Sequence, residues 1–285
     1  MIPKDNPFST KHSLKIGDKI IDFSTPKVMG VINTTPDSFF DGGMNNSVQK
    51  AIDKAVNMVL EGAEFLDIGG YSSRPGADDV SVKEEINRTV PVVRAIHERF
   101  PDVFISIDTF RKEVAEKNLK AGATWVNDIS AGKLDPEMIS WIKENKIPYI
   151  AMHMRGTPQS MQSECEYTNL TNQVIDELIT AVQDLETDHP LILDPGFGFS
   201  KTLEQNYELM NNLEGFAKLN YPFLVGFSRK SMIYKVLQSN AVEALNGTTV
   251  LNTIGLLKGA SVLRVHDVKE AKEVVLLIEK LRSIY

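Results

Sequence analysis

Residues 27–38 decide the fold, and they read Lys-Val-Met-Gly-Val-Ile-Asn-Thr-Thr-Pro-Asp-Ser. After the leading lysine, the run to residue 32 is almost continuously apolar, which is typical of a strand buried on both faces of a parallel sheet. The six residues that follow are polar or turn-forming. The stretch therefore predicts a buried parallel strand with a polar carboxyl end.

The same kind of apolar run recurs along the rest of the chain. Seven more runs lie at 64–68, 103–107, 124–127, 148–152, 190–193, 222–225 and 261–265. Amphipathic helical patterns lie between them, the last with Val268, Ala271, Val275 and Ile278 on one face. Strands alternating with helices predict an α/β fold, and eight such units predict a single (β/α)8 TIM barrel. An open doubly wound sheet is the alternative, but no GxGxxG turn follows the first run to support it.

The chain length fits one barrel with a short extension. Its 285 residues exceed the usual ~250 of a TIM barrel by little. Residues 14–21 predict a hairpin around Gly17 and Asp18 that can plug the bottom of the barrel. We therefore expect an N-terminal extension with a hairpin over residues 1–26 and a barrel domain over residues 27–285.

Composition narrows the class of protein. The net charge of −7 argues against general nucleic-acid binding, which needs a basic footprint. No apolar run approaches the ~18 residues of a membrane helix, and residues 1–19 lack the apolar core of a signal peptide. The single cysteine, Cys165, fits a reducing compartment. The sequence therefore predicts a cytoplasmic protein that binds neither nucleic acid nor membrane.

Polar side chains gather at the carboxyl ends of the predicted strands, where TIM barrels carry out their chemistry. Asp108, Asn127 and Asp194 end the third, fourth and sixth strands, so they can converge on one ligand. Two carboxylates and an amide suit a flat heterocycle that carries N–H and NH₂ donors. Asp67 and Asp267 lie at similar positions, but each can equally be a helix N-cap.

Basic residues lie at the same predicted rim and point to a phosphate group. Ser73-Arg74, Lys230 and Arg264-Val265-His266 follow the second, seventh and eighth strands. They predict a locally positive mouth on an acidic protein. The five histidines show no zinc-like spacing, so the candidate metal is Mg²⁺ held by Asn33 and a substrate diphosphate.

Taken together, the strand ends resemble the dihydropteroate synthase family. The resemblance rests on ordered segments from residue 28 to residue 268, any one of which is weak alone. They are 30–39, 67–70 with 73–76, 106–109, 127–130, 152–156, 194–199, 226–230 and 264–268. Three departures are Tyr71, where the family more often has Glu, Ser73, where it more often has Thr, and Ser200, where Gly is frequent.

The resemblance implies a transferase of folate biosynthesis, usually a homodimer and a target of sulfonamides. Such an enzyme joins 4-aminobenzoate to (7,8-dihydropterin-6-yl)methyl diphosphate and releases 7,8-dihydropteroate and diphosphate. From the charge pattern of the site we expect C–O cleavage to run ahead of attack, in an SN1-like path. A pterin-dependent methyltransferase and a non-catalytic pterin-binding protein are the alternatives, but neither explains the full set of charged strand-end residues.

The resemblance also assigns roles to residues. It implies Asp108, Asp194 and Lys230 as the catalytic groups and Asn33 as the Mg²⁺ ligand. The implied pterin contacts are Asp108, Asn127, Met152, Asp194, Phe199 and Lys230. The implied diphosphate contacts are Ser73, Arg74, Arg264 and His266. The implied aminobenzoate contacts are Phe39, Ser73, Pro75, Phe199, Lys230 and Ser231, with Phe39 and residues 73–75 on loops that close over the substrate.

Overall fold

A computed structural model describes residues 13–34, 43–72 and 79–284, with no account of the side chains of 43–47. A parallel barrel forms its centre, as the eight apolar runs predict. Its strands are β3 (Lys27–Asn33), β4 (Phe65–Gly69), β5 (Phe104–Asp108), β6 (Trp125–Asp128), β7 (Tyr149–Met152), β8 (Leu191–Asp194), β9 (Leu224–Val225) and β10 (Val262–Val265), after a hairpin of β1 (Ser13–Ile16) and β2 (Lys19–Asp22). Each of the eight predicted runs overlaps one barrel strand, and no strand extends more than one residue past the end of its run.

The strand order shows that the sheet closes on itself. Neighbours run β8-β7-β6-β5-β4-β3-β10-β9, all parallel. A parallel bridge between Leu193 and Phe223 joins the two ends, and the Leu193 N–H donates to the Pro222 carbonyl at 3.1 Å. The predicted TIM barrel is confirmed, and the open-sheet alternative is wrong.

Helices surround the barrel and bury their apolar faces against its outer surface. They are α1 (Gly43–Leu60), α2 (Val82–Arg99), α3 (Lys112–Ala121), α4 (Met138–Glu144), α5 (Leu170–Val182), α6 (Leu203–Asn211), α7 (Glu214–Ala217), α8 (Ser231–Tyr234), α9 (Leu245–Leu257) and α10 (Val268–Arg282). The four residues predicted on the apolar face of the last helix are all buried. In the part of the chain that is described, none of these helices has the length and apolar character to cross a bilayer.

The N-terminal hairpin is present where the sequence predicts it. β1 and β2 pair antiparallel, and Gly17 at the turn has φ +57°, a left-handed conformation that glycine adopts without strain. Leu14 and Ile21 are buried in one cluster with inward-facing residues near the amino ends of the barrel strands, such as Phe65 and Trp125. The hairpin therefore covers the amino end of the barrel, as expected.

Alternation along each strand sorts side chains between two environments. In β3, Val28 and Ile32 pack outward in the cluster shared with the helices, while Met29 faces the barrel interior. Successive side chains of a strand point to opposite faces. Positions two residues beyond the inward apolar residues therefore also face inward, nearer the carboxyl end, where the predicted site residues lie.

Candidate active site at the barrel mouth

Four of the predicted pterin contacts face the barrel interior at the ends of neighbouring strands. Asp108 pairs in register with Asn127, and Met152 with Asp194. Asn127, Met152 and Asp194 are each less than a tenth exposed, whereas Asp108 is partly open. The convergence predicted from the strand ends is therefore confirmed, and it places oxygen acceptors around a partly enclosed space.

Arg264 is the centre of the polar cluster. Its Nε donates to Asp67 Oδ2 at 2.6 Å, and its Nη2 donates to Asp108 Oδ2 at 2.7 Å. Asn127 Nδ2 donates to the same Asp67 oxygen at 3.0 Å. The guanidinium thus links β10 to β4 and β5, and it fixes the carboxylate of Asp108 from one side.

Asp67 is the functional residue that the sequence reasoning left undecided. It is fully buried and lies inside β4, which continues to Gly69, so it does not cap a helix. Its partners are Arg264 and Asn127, so it orients two predicted substrate contacts at once. The signal that could have found it is its spacing of two residues from Phe65, which puts both side chains on the inner face. Asp267 makes two hydrogen bonds with Arg229, both at 2.9 Å, and no N-cap hydrogen bond.

Small residues keep the mouth open. A Cβ on Gly69 would lie 3.4 Å from the Cβ of Asp108. A Cβ on Gly226 would lie 3.8 Å from both Lys230 Nζ and the Cβ of Arg264. A methyl group at either glycine would make ordinary van der Waals contacts with these side chains, so both inward-facing glycines leave that volume beside Asp108 and Lys230 unfilled.

Burial sets the protonation of the two carboxylates. It raises the pKa of Asp108 to about 7, although the Arg264 guanidinium acts in the opposite direction. Burial also raises the pKa of Asp194, with Lys230 opposing. For Arg264 burial lowers the pKa, but Asp67 and Asp108 together hold it above its ordinary value, so the guanidinium stays charged.

Lys230 lies across the mouth from Asp108, immediately before Ser231, which is the first residue of α8. Lys230 Nζ donates to the Phe197 carbonyl at 2.6 Å and lies 5.1 Å from the centre of the Phe199 ring. Burial lowers the pKa of Lys230 to about 8, with Asp194 opposing. Phe199 also packs on the apolar cluster that contains Met152, so the predicted pterin and aminobenzoate contacts share one wall.

His266 follows β10 and is oriented by one hydroxyl. The Ser228 Oγ accepts from the His266 backbone N–H at 3.1 Å and lies 3.0 Å from its Nδ1. Burial, with Lys54 and Arg264 nearby, lowers the pKa of His266 to about 4, so the ring is neutral near pH 7. A neutral imidazole can still donate one hydrogen bond to a phosphate oxygen.

Charges of both signs lie close together in the described part of the mouth. Arg264 and Lys230 face the three carboxylates of Asp67, Asp108 and Asp194, and two further lysines, Lys201 and Lys54, act on Asp194 and His266. The positive mouth stays a prediction, because it includes Arg74. Phe39, Ser73, Arg74 and Pro75 lie outside the described residues.

Asn33 meets the chemical requirement for a single magnesium ligand. It ends β3, pairs in register with Gly69 and has an inward position at the mouth. Among the residues that the structure describes, no group of three His, Cys, Asp or Glu side chains can cage a metal ion. An amide oxygen fits Mg²⁺, which usually keeps several waters and takes its other ligands from substrate phosphates.

The fold and the acceptor-lined mouth define a TIM-barrel enzyme for a flat nitrogen heterocycle, and comparison with known proteins names its class. Residues 29–266 match the model of the pterin binding enzyme family. A dihydropteroate synthase of Synechocystis sp. is 44% identical over 92% of this chain and 92% of its own length. The dihydropteroate synthase of Escherichia coli K12 is 43% identical, covering 91% of this chain and 93% of its own length.

Solved structures agree with these relatives. A Yersinia pestis dihydropteroate synthase in complex with a sulfonamide drug has a TM-score of 0.86 at 38% identity, covering 95% of this chain and 99% of that one. A Xanthomonas albilineans dihydropteroate synthase with 4-aminobenzoic acid has a TM-score of 0.87 at 32% identity, covering 96% and 99%. The chain belongs to the dihydropteroate synthase family.

Proposed function

We propose that this chain is a dihydropteroate synthase that joins 4-aminobenzoate to (7,8-dihydropterin-6-yl)methyl diphosphate, with C–O cleavage ahead of attack. The observation that carries this function is the cluster of Asp108, Asn127 and Asp194 around one space, with Lys230 across from them. Related enzymes support the substrates, since Xanthomonas albilineans dihydropteroate synthase has structures with 4-aminobenzoic acid and with 7,8-dihydropteroate.

The pterin ring is bound between the acceptors and the apolar wall. Asn127 and Asp194 are almost fully buried and offer acceptors to the N–H and NH₂ donors of the ring. Met152 and Phe199 supply flat apolar surface beside them. Buried acceptors reject a ring that lacks matching donors, because they would then stay unpaired.

Asp108 acts on the charge that develops when the C–O bond breaks. The bonding pair leaves with the diphosphate oxygen, and positive charge spreads from the methylene carbon into the pterin ring. An ionised Asp108 stabilises that charge, and Arg264 keeps the carboxylate in place at 2.7 Å. The amine lone pair of 4-aminobenzoate then forms the new C–N bond, and a proton of the amine leaves to solvent.

The leaving diphosphate is assigned to His266 and Arg264, together with Ser73 and Arg74. His266 can donate one hydrogen bond, and the Ser228 hydroxyl orients it. Mg²⁺ held by Asn33 would supply positive charge to the departing oxygens. The aminobenzoate is assigned to Lys230, Ser231 and Phe199, with Phe39, Ser73 and Pro75 contributed by the loops.

One assay tests the function directly. Purified chain, the pterin diphosphate, Mg²⁺ and labelled 4-aminobenzoate should give labelled 7,8-dihydropteroate, and a sulfonamide should compete with 4-aminobenzoate. Omitting 4-aminobenzoate tests the order of steps, because cleavage ahead of attack predicts some diphosphate release without it. An absolute requirement for both substrates would favour concerted attack, and absence of product would refute the function.

We further propose a homodimer in the cytoplasm. Exposed apolar side chains on the packed helices α9 and α10 support the dimer, among them Leu257 on α9 and Leu276 and Leu277 on α10, each more than half exposed. Leu251, also on α9, is buried and does not belong to this exposed surface. Sedimentation of the wild type against a Leu277→Asp variant should separate dimer from monomer. The lone cysteine supports a reducing compartment.

A further inference from the structure

Lys201 is a buried cation that the reaction outlined above does not use. It is 3% exposed, although lysine is rarely buried without a reason. Its Nζ donates to the carbonyls of Gly196 and Phe199, both at 3.0 Å, and to His153 Nδ1 at 3.1 Å. An ammonium group has three N–H donors, so these three acceptors match its full capacity.

These contacts join the loops that follow two neighbouring strands. Gly196 and Phe199 follow β8, whereas His153 follows β7. The loops approach so closely that a Cβ on Gly196 would lie 2.0 Å from the His153 carbonyl oxygen, and Gly196 has φ +71°. No side chain fits at Gly196, so the two loops approach each other through their backbones. The hydrogen bonds of Lys201 hold the turn in this position.

The imidazole of His153 is itself held in one orientation. Its Nε2 lies 3.1 Å from Glu177 Oε2 on α5. A carboxylate only accepts, so Nε2 carries the hydrogen and Nδ1 remains free to accept from Lys201. Burial, and next Lys201, lower the pKa of His153 to about 4, which keeps the ring neutral near pH 7.

The turn that Lys201 holds carries two groups that contact Lys230 Nζ. The Phe197 carbonyl accepts from Lys230 Nζ at 2.6 Å, and the Phe199 ring lies 5.1 Å from the same atom. The Phe199 N–H donates to the Gly196 carbonyl at 3.1 Å, and that carbonyl also accepts from Lys201. A shift of the turn therefore moves Lys230 and the apolar wall together.

We propose that Lys201 is a positioning residue for the synthase reaction: its ammonium group fastens residues 196–199 to the loop after β7 and so places Phe199 and Lys230. The inference rests on the proposed function, since it assigns Phe199 and Lys230 to substrate binding. The charged form has a donor for each of the three acceptors, whereas a neutral amine has only two.

The surroundings of Lys201 make this charge sensitive to pH. Burial lowers its pKa to about 7, although Asp194 and Glu177 act in the opposite direction. Among the described residues, five titratable groups face Lys201. They are Asp194 at the end of β8, Lys230 after β9, Glu177 on α5, and His153 and Cys165 after β7. The fastening should therefore weaken as the pH rises through about 7.

The test compares two lysine-to-methionine variants. Lys201→Met keeps the length of the side chain and removes its donors. Lys133→Met is the matched control, because Lys133 lies 3.6 Å from the same Glu177 but is 44% exposed and has no contact with the turn among those described. We expect kcat/KM to fall about 10- to 100-fold in Lys201→Met and to change little in Lys133→Met. The ratio of wild-type to Lys201→Met kcat/KM should shrink as the pH rises above about 7.

A ratio that does not vary with pH, or equal activity in the two variants, overturns the proposal. If Lys201→Met does not fold, hydrogen exchange of residues 195–201 in the wild type, corrected for intrinsic rates, tests the proposal instead. Protection should decline above about pH 7, and pH-independent protection overturns the proposal. Failure of the proposed function can be told apart from failure of the role of Lys201. In the first case the wild type forms no dihydropteroate, but the hydrogen exchange of residues 195–201 still depends on pH.

Discussion

The two ends of the barrel interior use the same inward-facing positions for different purposes. Near the amino end, Phe65, Trp125 and Ile192 are fully buried and pack with Leu14 of the hairpin. Two residues further along the same strands lie Asp67, Asn127 and Asp194, which are polar and surround the mouth. A shift of two residues keeps the side chain inside the barrel. Stability and chemistry are therefore separated along each strand by about 6–7 Å.

A change at the mouth should affect turnover far more than folding. Replacing the Asp108 carboxylate by an amide in Asp108→Asn removes the negative charge opposite the developing cation. We expect kcat to fall about 100- to 1,000-fold, as for other preorganised electrostatic groups. Steady-state kinetics and a thermal melt measure the two effects.

Asp102→Asn is the control for Asp108→Asn, because Asp102 is a surface residue whose side chain is 96% exposed. Near-wild-type turnover in Asp108→Asn would contradict the role of this carboxylate in stabilising the cation.

A change at the amino end should have the opposite result. Leu14 is 1% exposed, so Leu14→Ala leaves a cavity under the barrel and should cost about 2–5 kcal/mol of unfolding free energy. The kcat of the folded enzyme should stay within about twofold, because the site lies at the other end. Urea unfolding and kinetics below the transition separate these quantities.

Leu60→Ala serves as the matched control for Leu14→Ala, since Leu60 is 79% exposed. If kcat fell as strongly as stability in Leu14→Ala, the two ends of the barrel would be coupled and not separate.

The titration of Asp108 affects both the activity and the stability of the enzyme. The pKa of Asp108 is raised to about 7, so kcat/KM should rise as the pH approaches 7. The pKa of Lys201 is lowered to about 7 and that of Lys230 to about 8, so kcat/KM should decline above about pH 7 and more steeply above about pH 8. Folding raises the pKa of Asp108 from about 4, so ionisation of this group reduces stability as the pH rises towards 7. The contribution of Asp108 to stability, measured as the difference between the wild type and Asp108→Asn, should therefore fall between about pH 5 and pH 7 while the activity of the wild type rises. An acid limb that persists in Asp108→Asn would assign it to another group.

The smallest effect is expected at Ser200, where the family frequently has glycine. Ser200 has φ +44°, a conformation that costs a non-glycine residue about 1–2 kcal/mol. Its Oγ accepts from the Arg155 N–H at 3.0 Å, and losing that bond costs about 1 kcal/mol. Ser200→Gly should therefore raise the unfolding free energy by no more than about 1 kcal/mol and leave kcat unchanged. A clear loss of stability would mean that the hydroxyl outweighs the strain.

Much of the fold and part of the site could be predicted from the sequence. Periodicity in hydrophobicity depends only on neighbouring residues, so the eight strands, the last helix and the hairpin around Gly17 could be predicted from the sequence. The placement of Asp108, Asn127 and Asp194 at one mouth followed from the rule that the carboxyl ends of parallel strands meet. The roles of the individual site residues stay predictions, including those of Phe39 and residues 73–75.

The tertiary structure alone decided which charges pair. The sequence placed Arg264 among the phosphate contacts, but it could not show that Asp67 and Asp108 hold the guanidinium, since these residues are 197 and 156 positions away along the chain. It also gave no reason to single out Lys201, because the acceptors that bury it come from two loops that meet only in the folded barrel. Local patterns determine strands and helices, whereas burial and pairing of charges depend on which elements become neighbours in space, and that depends on the closed barrel as a whole.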